Sequence, residues 1–597
     1  MRRLSGETGV YALVALLGCV CVLVSLDATG QLAGTPLGVF DGPGLTLDEG
    51  FNVDVGVRLA DSVLSGDFPE YARRTGELPD HPPLGRLWLG IAHELALLVV
   101  PVQGVDAPYV IGLARSGSAV AFGLTLFLVG VTARRLATRL WPSVAEDGQR
   151  SLGERGSWGT SFLAGLAAML ALGTLPRMFA HAHIASLETC VALSWMLVIA
   201  YALDREEELD QPLVAAKLGF LLGLAWLTKV QGVLLAPVLV VWLVGRALYW
   251  PTGIWRTATS PDVSGRVSPR DATRCMVLNR WLVGCVIPMT LVLGVAGVTF
   301  VVGWPWLWGD VIGRTAEYLG RTADRTPTLV WYAGRVFVDK EVPWHYPWFQ
   351  LVASCSEIAL LCGAAGWFAM RRTLPGATAL LAGCLLFPLV LFSLPGVAVY
   401  DGERLFSMIF PLGAVACGVG IAAIAQWSGA SPTYSLRKVR IVAASACLLQ
   451  IAMELVILRS TWPCSLSAYG VSVEGLRGAV RAGYARTYWG DSITRTLLSQ
   501  LTKQVPEGAT IELLPVMHPF QIPVLASQTP AILEGRYSLI PYNTPRPAGR
   551  RFLLVFFRDD YLEPEFRAPV PPGKSLAEVR RQGVLLAGLY ELPPQTD

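Results

Sequence analysis

The sequence predicts an all-α polytopic membrane body with a small α/β domain outside the membrane at its C-terminal end. Three observations predict it. Hydrophobic residues make up 53% of the 597 residues and charged residues only 16%, against about 25% charged in a soluble globular domain. Apolar runs of the length a bilayer span needs, about 20 residues, recur along most of the chain. The final stretch, 460–597, has mixed polarity and only short apolar runs. The net charge of +3 is small for this length and gives no reason to expect nucleic acid as a partner.

The spans follow in order of clarity. Segments 281–303, 376–399, 405–427 and 158–176 contain no charged residue. Segment 10–26 is shorter and follows Arg2 and Arg3. Segments 109–133, 185–203, 213–228, 230–248, 348–370 and 439–458 each carry one or two charges. The count is about eleven transmembrane helices, and 213–248 reads as two short spans or as a re-entrant pair. The N-terminal segment has the basic start and short apolar run of a signal peptide. No small-x-small cleavage site precedes Asp27, so the expectation is a retained first span.

Orientation follows from Lys and Arg, which resist translocation. Arg134, Arg135, Arg139, Arg150 and Arg155 form one group. Arg246, Arg256, Arg266, Arg270, Arg274 and Arg280 form a second, Arg371 and Arg372 a third, and Arg437, Lys438 and Arg440 a fourth. All fall on the inner side when the N-terminus is cytoplasmic and the spans alternate. The expectation is a multi-pass protein of the inner (plasma) membrane, with a membrane domain over 1–459 and an extracytoplasmic α/β domain over 460–597. Its outer segments are 27–108, 304–347 and this C-terminal domain. Within the last, 511–517 and 552–557 read as strands, and 498–505 and 577–582 as helical pieces. The Pro/Ser/Thr-rich stretch 257–269 reads as an inner loop, and 86–102 as a helix lying in the membrane interface. Most of the eleven cysteines fall within spans, where Cys acts as a small apolar residue. No disulfide framework or zinc spacing follows.

The first outer segment holds Leu47-Asp48-Glu49-Gly50-Phe51 and, after an amphipathic stretch, Asp80-His81-Pro82-Pro83-Leu84-Gly85-Arg86. Acids at a helix start are ordinary on their own. The two motifs together in one outer loop resemble the protein O-mannosyltransferases (glycosyltransferase family 39) and the bacterial lipid A aminoarabinose transferases. Both belong to the GT-C superfamily of polyprenyl-phosphate-sugar-dependent glycosyltransferases. Phe179-Ala180-His181-Ala182-His183 with Leu187-Glu188, Gly223-Leu224-Ala225…Lys229, Tyr400-Asp401-Gly402-Glu403-Arg404 ahead of Pro411, and Tyr488-Trp489-Gly490-Asp491 resemble further family elements. The resemblance covers the membrane body and, more faintly, the tail.

It implies a GT-C-like membrane body and transfer of one sugar, hexosyl or pentosyl, from a polyprenyl (undecaprenyl) phosphate carrier. The acceptor, a lipid, glycan or protein, would lie on the extracytoplasmic side. Asp48 is the implied catalytic base, with Glu49 orienting it or the acceptor, and Glu188 stands where family members usually carry Asp as a second site carboxylate. A base on the acceptor hydroxyl, opposite a departing phosphate and with an oxocarbenium-like centre between them, implies inversion. The phosphate needs cations or N–H donors where charge develops, and His81, Lys229 and Arg404 are the candidates. His81 is His as in the mannosyltransferases, where the aminoarabinose enzymes have Lys. Lys229 is an intramembrane charge that could also snorkel. Arg404 starts a span on the outer side, where the positive-inside trend does not explain it, and could pair with Asp401 or Glu403.

His181 and His183 are possible sugar or acceptor contacts. As ligands with Glu188 they would suit a metal in an extended segment, and interfacial hydrogen bonding on a helix. The resemblance implies no metal and no cofactor beyond the lipid donor. The aromatic second outer segment reads as an interfacial belt, or as a lid over the donor in which Trp331, Tyr332 and His345 face the sugar; Tyr400 is a further candidate contact. The alternatives are a polytopic transporter or lipid flippase, which the lack of an internal repeat disfavours, and an inactive relative serving as a binding module.

Overall fold

The structure is a computed structural model that describes residues 6–100, 107–142, 159–249, 282–323, 325–429, 436–545, 549–567 and 573–593. The inner loop 257–269 and the basic residues at 150, 155, 256, 266, 270, 274 and 280 lie outside them.

Among the described residues the membrane body is mainly helical. In chain order its helices are α1 (Gly6–Leu23), α2 (Glu49–Leu64), α3 (Phe68–Arg74), α4 (Pro83–Val99), α5 (Ile111–Leu140), α6 (Thr160–Gly173), α7 (Pro176–Ala182), α8 (Glu188–Asp204), α9 (Pro212–Thr228), α10 (Leu235–Tyr249), α11 (Ile287–Gly303), α12 (Val311–Ala323), α13 (Tyr346–Ser354), α14 (Glu357–Thr373), α15 (Pro375–Leu391), α16 (Phe410–Gly429) and α17 (Leu436–Thr461). Among the described residues, six helices are long and apolar enough to cross a membrane, or up to eight if each of two bent pairs is one span. The chain is a multi-pass membrane protein. The figure of about eleven also counts shorter helices such as α9 and α15.

Two sequence-derived spans are bent. Segment 158–176 becomes α6 and α7, turned by 72° at Thr174-Leu175, and 348–370 becomes α13 and α14, turned by 107° at Cys355-Ser356. Ser356 caps α14 through its hydroxyl, which accepts from Ala359 N, so the chain starts a new helix there instead of continuing the old one. Segment 213–248 is two helices joined by a 3-10 turn over Val230–Leu234. Of segment 86–102, the residues to Val99 belong to helix α4, which crosses α2 where Gly56 and Gly90 meet. A Cβ on Gly90 would stand 1.9 Å from Gly56 O.

Small residues set the packing, since apolar side chains gain little by leaving lipid for protein. A Cβ on Gly420 would lie 1.7 Å from Cys362 O, and one on Gly366 2.0 Å from Ala416 O, so α14 and α16 touch backbone to backbone. The helix α5 organises the body. Its 30 residues make about 45 Å of helix. One end carries Arg115, and the other carries Arg134, Arg135 and Arg139. The helix α8 runs beside it from Glu188 to Asp204, whose carboxylate pairs with Arg135 at 2.9 Å.

The last membrane helix ends at Thr461, and a five-stranded sheet follows in the order β4-β3-β5-β7-β6. Its strands are β3 (Thr510–Leu514), β4 (Ser538–Pro541), β5 (Arg551–Phe556), β6 (Lys574–Arg581) and β7 (Val584–Leu592), after a small hairpin β1 (Leu329–Tyr332) and β2 (Arg335–Val338) in the second outer segment. The strands expected over 511–517 and 552–557 are β3 and β5. The helical pieces near 498–505 are short helices over Arg495–Leu498 and Leu501–Gln504. The helix expected over 577–582 is instead strand β6. Gln582 and Gly583 both take positive φ, 49° and 80°, the geometry of a tight hairpin turn, and pairing with β7 overrides local helical preference.

The tail domain is keyed into the first outer segment. Gly44 N donates to Asp491 O at 2.7 Å, Arg495 pairs with Asp27 at 3.0 Å, and Val524 fills the space a Gly50 side chain would need.

Candidate active site

A cavity of about 400 Å³ lies where the first outer segment, the α9–α10 break, the 400–405 loop and the tail domain meet. Each wall has a local cause. Asp48 stands at the N-cap position of α2 but makes no capping hydrogen bond; its carboxylate pairs with Arg404 instead. His81 and Pro82 each precede a proline, which disfavours helix, and Pro83 suits the first helical position, so α4 begins just past His81. Gly85 lets α4 abut the end of α9: a Cβ there would be 2.8 Å from Thr228 O and 2.9 Å from Leu187 Cδ2. That contact places His81, Lys229 and Glu188 side by side. Lys229 ends α9 in extended backbone, φ −163° and ψ 156°.

Arg404 is the hub. Its Nε donates to Glu188 Oε1 at 2.9 Å and its Nη1 to Asp401 Oδ2 at 2.9 Å, while Nη2 meets Asp48. Lys229 Nζ donates to the same Glu188 oxygen at 2.6 Å. Asp401 adopts φ 55° and Gly402 φ 62°, a left-handed turn that is costly for a non-glycine residue. The turn is held by Arg558, which donates to Asp401 Oδ1 at 2.9 Å, and by Tyr346, whose hydroxyl accepts from Gly402 N at 2.9 Å. Behind it, Glu403 pairs with Arg177 and accepts from the Tyr488 hydroxyl at 2.9 Å. Burial opposes ionisation of Glu403, but Arg177 and His181 outweigh it and hold the carboxyl at about 2.

The cavity wall carries the cations Lys229, Arg321, Arg325, Arg404 and Arg558 and the carboxylates Asp48, Asp80 and Asp401. Positive groups outnumber negative ones, as an anionic ligand requires. Burial, reinforced by Arg86 and Lys229 and opposed by Asp80 and Asp48, lowers the His81 pKa to about 4. The imidazole is therefore neutral at neutral pH and can act on a phosphate as a hydrogen-bond donor, not as a cation.

Of the sequence candidates, Asp48, His81, Lys229, Arg404 and Tyr400 line the cavity. Glu188 lies behind the wall, 1% exposed, as the anchor of Lys229 and Arg404. Glu49 faces away. Fully buried, it takes two bonds from Arg115 at 2.7 Å each and accepts from Thr46 N, Thr46 Oγ1 and Ala185 N, so five donors engage its carboxylate. His181 and His183 sit on and just after helix α7, and neither lines the cavity. His181 packs by Tyr488 and Glu403, and His183 Nε2 lies 3.0 Å from Ser25 Oγ. Trp331, Tyr332 and His345 are not on the cavity wall either. Tyr332 is buried against Tyr346, Phe349 and Tyr484, its hydroxyl is 2.8 Å from His345 Nδ1, and Trp331 stacks with Arg567. The second outer segment does reach the cavity, but through Arg321, Thr322, Arg325, Thr326, Pro327 and Thr328. Among the described residues no group of three or more His, Cys, Asp and Glu side chains is arranged to hold a metal ion.

Sequence reasoning missed Arg325, whose guanidinium lies 3.6 Å over the Tyr400 ring, and Arg558 with Tyr561. It also missed Phe51, His518 and Phe520, whose rings touch one another on the cavity wall. Phe51 falls inside a quoted motif; the others carry no local signal.

No family model matches the chain, and no curated protein matches it. Solved structures do. ArnT from Cupriavidus metallidurans bound to undecaprenyl phosphate is 14% identical with a TM-score of 0.40, covering 99% of this chain and 100% of that one. The same protein in the apo state is 15% identical with a TM-score of 0.44, covering 99% of each chain. The archaeal oligosaccharyltransferase AglB from Archaeoglobus fulgidus, in complex with an inhibitory peptide and a dolichol-phosphate, is 11% identical with a TM-score of 0.38 over 80% of this chain and 56% of that one. These are proteins to which the chain is similar from end to end or over most of its length.

Proposed function

We propose that the protein is a membrane glycosyltransferase that moves one sugar, hexosyl or pentosyl, from a polyprenyl-phosphate carrier to an acceptor hydroxyl on the extracytoplasmic side. The observation that carries this reading is a pair of adjoining cavities of opposite character. The charged cavity of about 400 Å³ shares Val230, Gln231, Thr322, Arg325, Tyr400 and Leu405 with a cleft of about 200 Å³ whose other residues are Leu234, Leu391, Phe392 and Ala398. A lipid-linked phosphate has the same two halves, an anionic head and an apolar chain. The far end of α5 carries Arg134, Arg135 and Arg139, which supports an arrangement with that end and the N-terminus cytoplasmic and the cavity outside.

The acceptor oxygen attacks the anomeric carbon and its proton passes to the Asp48 carboxylate. The bond from that carbon to the phosphate oxygen breaks, and its electron pair stays on the phosphate, which leaves on its lipid. Lys229 and Arg404, with His81 as a neutral donor, stabilise the charge that develops there. A single displacement inverts the anomeric centre. Arg404 holds Asp48; a phosphate that takes over the guanidinium frees the carboxylate to act as base.

The test is Asp48→Asn in the full chain. Loss of sugar transfer with an unchanged melting profile supports the proposal, and full transfer by the folded variant rejects it. Mass spectrometry of envelope glycans, lipids and glycoproteins with and without the gene identifies the sugar and acceptor. Carrier movement in proteoliposomes without glycosidic bond formation would point to a transporter instead.

A further inference from the structure

The tail domain reaches the reaction chamber with side chains that belong to no local motif of the membrane body. Strands β3 and β5 are parallel, so their C-terminal ends point the same way, and loops at that edge of a parallel sheet are where ligands are met. Here the loop after β3 brings Met517, His518 and Phe520 to the cavity, and the loop after β5 brings Arg558 and Tyr561.

Three contacts join this domain to the Tyr400–Arg404 turn. The Trp489 ring lies under the Arg404 guanidinium at 4.0 Å. Arg558, itself 2% exposed, donates to Asp401 Oδ1, and the other oxygen of that carboxylate accepts from Arg404. The Tyr488 hydroxyl donates to Glu403. Trp489 is buried and its indole N–H has no partner among the described residues, so its contribution to the site is the face of the ring. Among the described residues, the ion-pair partners of Arg404 in the membrane body are the carboxylates Asp48, Glu188 and Asp401. Carboxylates alone would draw the guanidinium away from an incoming phosphate; a neutral ring face holds it by its plane and leaves its edge free to donate.

We infer that Trp489 and Arg558 are positioning residues for Arg404, so that the tail domain completes the phosphate-binding half of the site. This rests on the glycosyltransferase reading above. The parallel edge sets the two loops, Arg558 sets Asp401, and Asp401 and the indole together set the plane of the guanidinium. Neither residue needs to touch the reacting atoms.

The experiment measures binding of undecaprenyl phosphate to the full chain in nanodiscs. The variants are Trp489→Leu and Arg558→Gln, each made alone and in an Arg404→Gln background. In the natural background each should weaken binding about tenfold. In the Arg404→Gln background each should change it less than about twofold, because residues that act through a shared partner are not additive. Trp489→Phe and Arg558→Lys, which keep a ring and a charge, should recover part of the loss, and they remain measurable if the more severe variants do not fold. A full effect in both backgrounds, or none in either, overturns the inference and leaves the glycosyltransferase reading standing. An unaltered chain that neither binds undecaprenyl phosphate nor transfers sugar overturns both.

Discussion

Asp48 and Glu49 are neighbours in sequence, each paired with an arginine from a distant helix or loop, yet they occupy opposite kinds of site. Glu49 and Arg115 are both fully buried. Glu49 has five donors, and Arg115 also donates to the carbonyls of Leu26, Pro43 and Gly44. Asp48 is 28% exposed and Arg404 9%, and both open onto a cavity. A buried charge whose lone pairs and protons are all engaged is a fastener, and removing one partner is costly. A pair with unfilled capacity facing a solvent-sized space can exchange partners. The difference lies in how completely the surroundings satisfy each group, not in residue type.

The comparison can be broken in four ways, from the largest expected effect to the smallest. Asp48→Asn should lower the rate of sugar transfer by about 10²- to 10⁴-fold, the range of a lost general base, with little change in melting temperature; single-turnover transfer in detergent measures it. Glu49→Gln should do the reverse, destabilising the fold by about 3–5 kcal/mol while the molecules that remain folded keep most of their activity, as read from thermal melts and activity per folded molecule. If Glu49→Gln left stability intact and abolished transfer, the two carboxylates would have to exchange roles.

Gly85→Ala is milder. Its methyl group would meet Thr228 O and the Leu187 side chain, so α4 must shift against α9. The expected cost is about 1–3 kcal/mol of stability, with weaker undecaprenyl phosphate binding as His81 and Lys229 separate. The effect that is smallest at neutral pH, and grows in acid, is the titration of His81. With the folded His81 pKa at about 4 and the unfolded value near 6.5, the unfolded chain takes up a proton first as the pH falls. Stability is then lost progressively between about pH 6.5 and 4. His81→Asn should flatten that part of the melting-temperature profile, and an unchanged slope would mean that His81 titrates normally in the fold.

Much of the site was legible before the fold was known. Asp48, His81, Lys229 and Arg404 sit in short motifs, and the basic-residue pattern predicts that those motifs share one side of the membrane. Which carboxylate faces the cavity is not legible in the sequence, because that depends on the direction in which the backbone points Asp48, Glu49 and Glu188. Glu188 becomes an anchor because two cations converge on one of its oxygens. In the aromatic second segment Tyr332 packs into a wall with Phe349 and Tyr484, whereas Arg325 and its neighbours reach the cavity, a division that aromatic content alone does not reveal. Arg558 was invisible, since it acquires meaning only when parallel pairing of β3 and β5 brings its loop to Asp401. The membrane helices were read from composition, but the 107° bend before α14 was not, because a cap at Ser356 and a long apolar run look alike to a hydropathy count.

The dependence of Arg404 on Trp489 and Arg558 also has a consequence in time. Both residues follow the last membrane helix, which ends at Thr461, so they leave the ribosome after every helix of the body. The body can insert and pack while its cation hub is still without its ring and its second arginine. In the proposed orientation the chamber then assembles from the late end of the chain, after the tail has crossed the bilayer and its sheet has folded. A chain stalled during synthesis, or one whose tail failed to cross, would hold Asp48, Lys229 and Arg404 on a membrane scaffold without the parts that aim them. In that orientation, completion of translocation doubles as the step that completes the cavity wall.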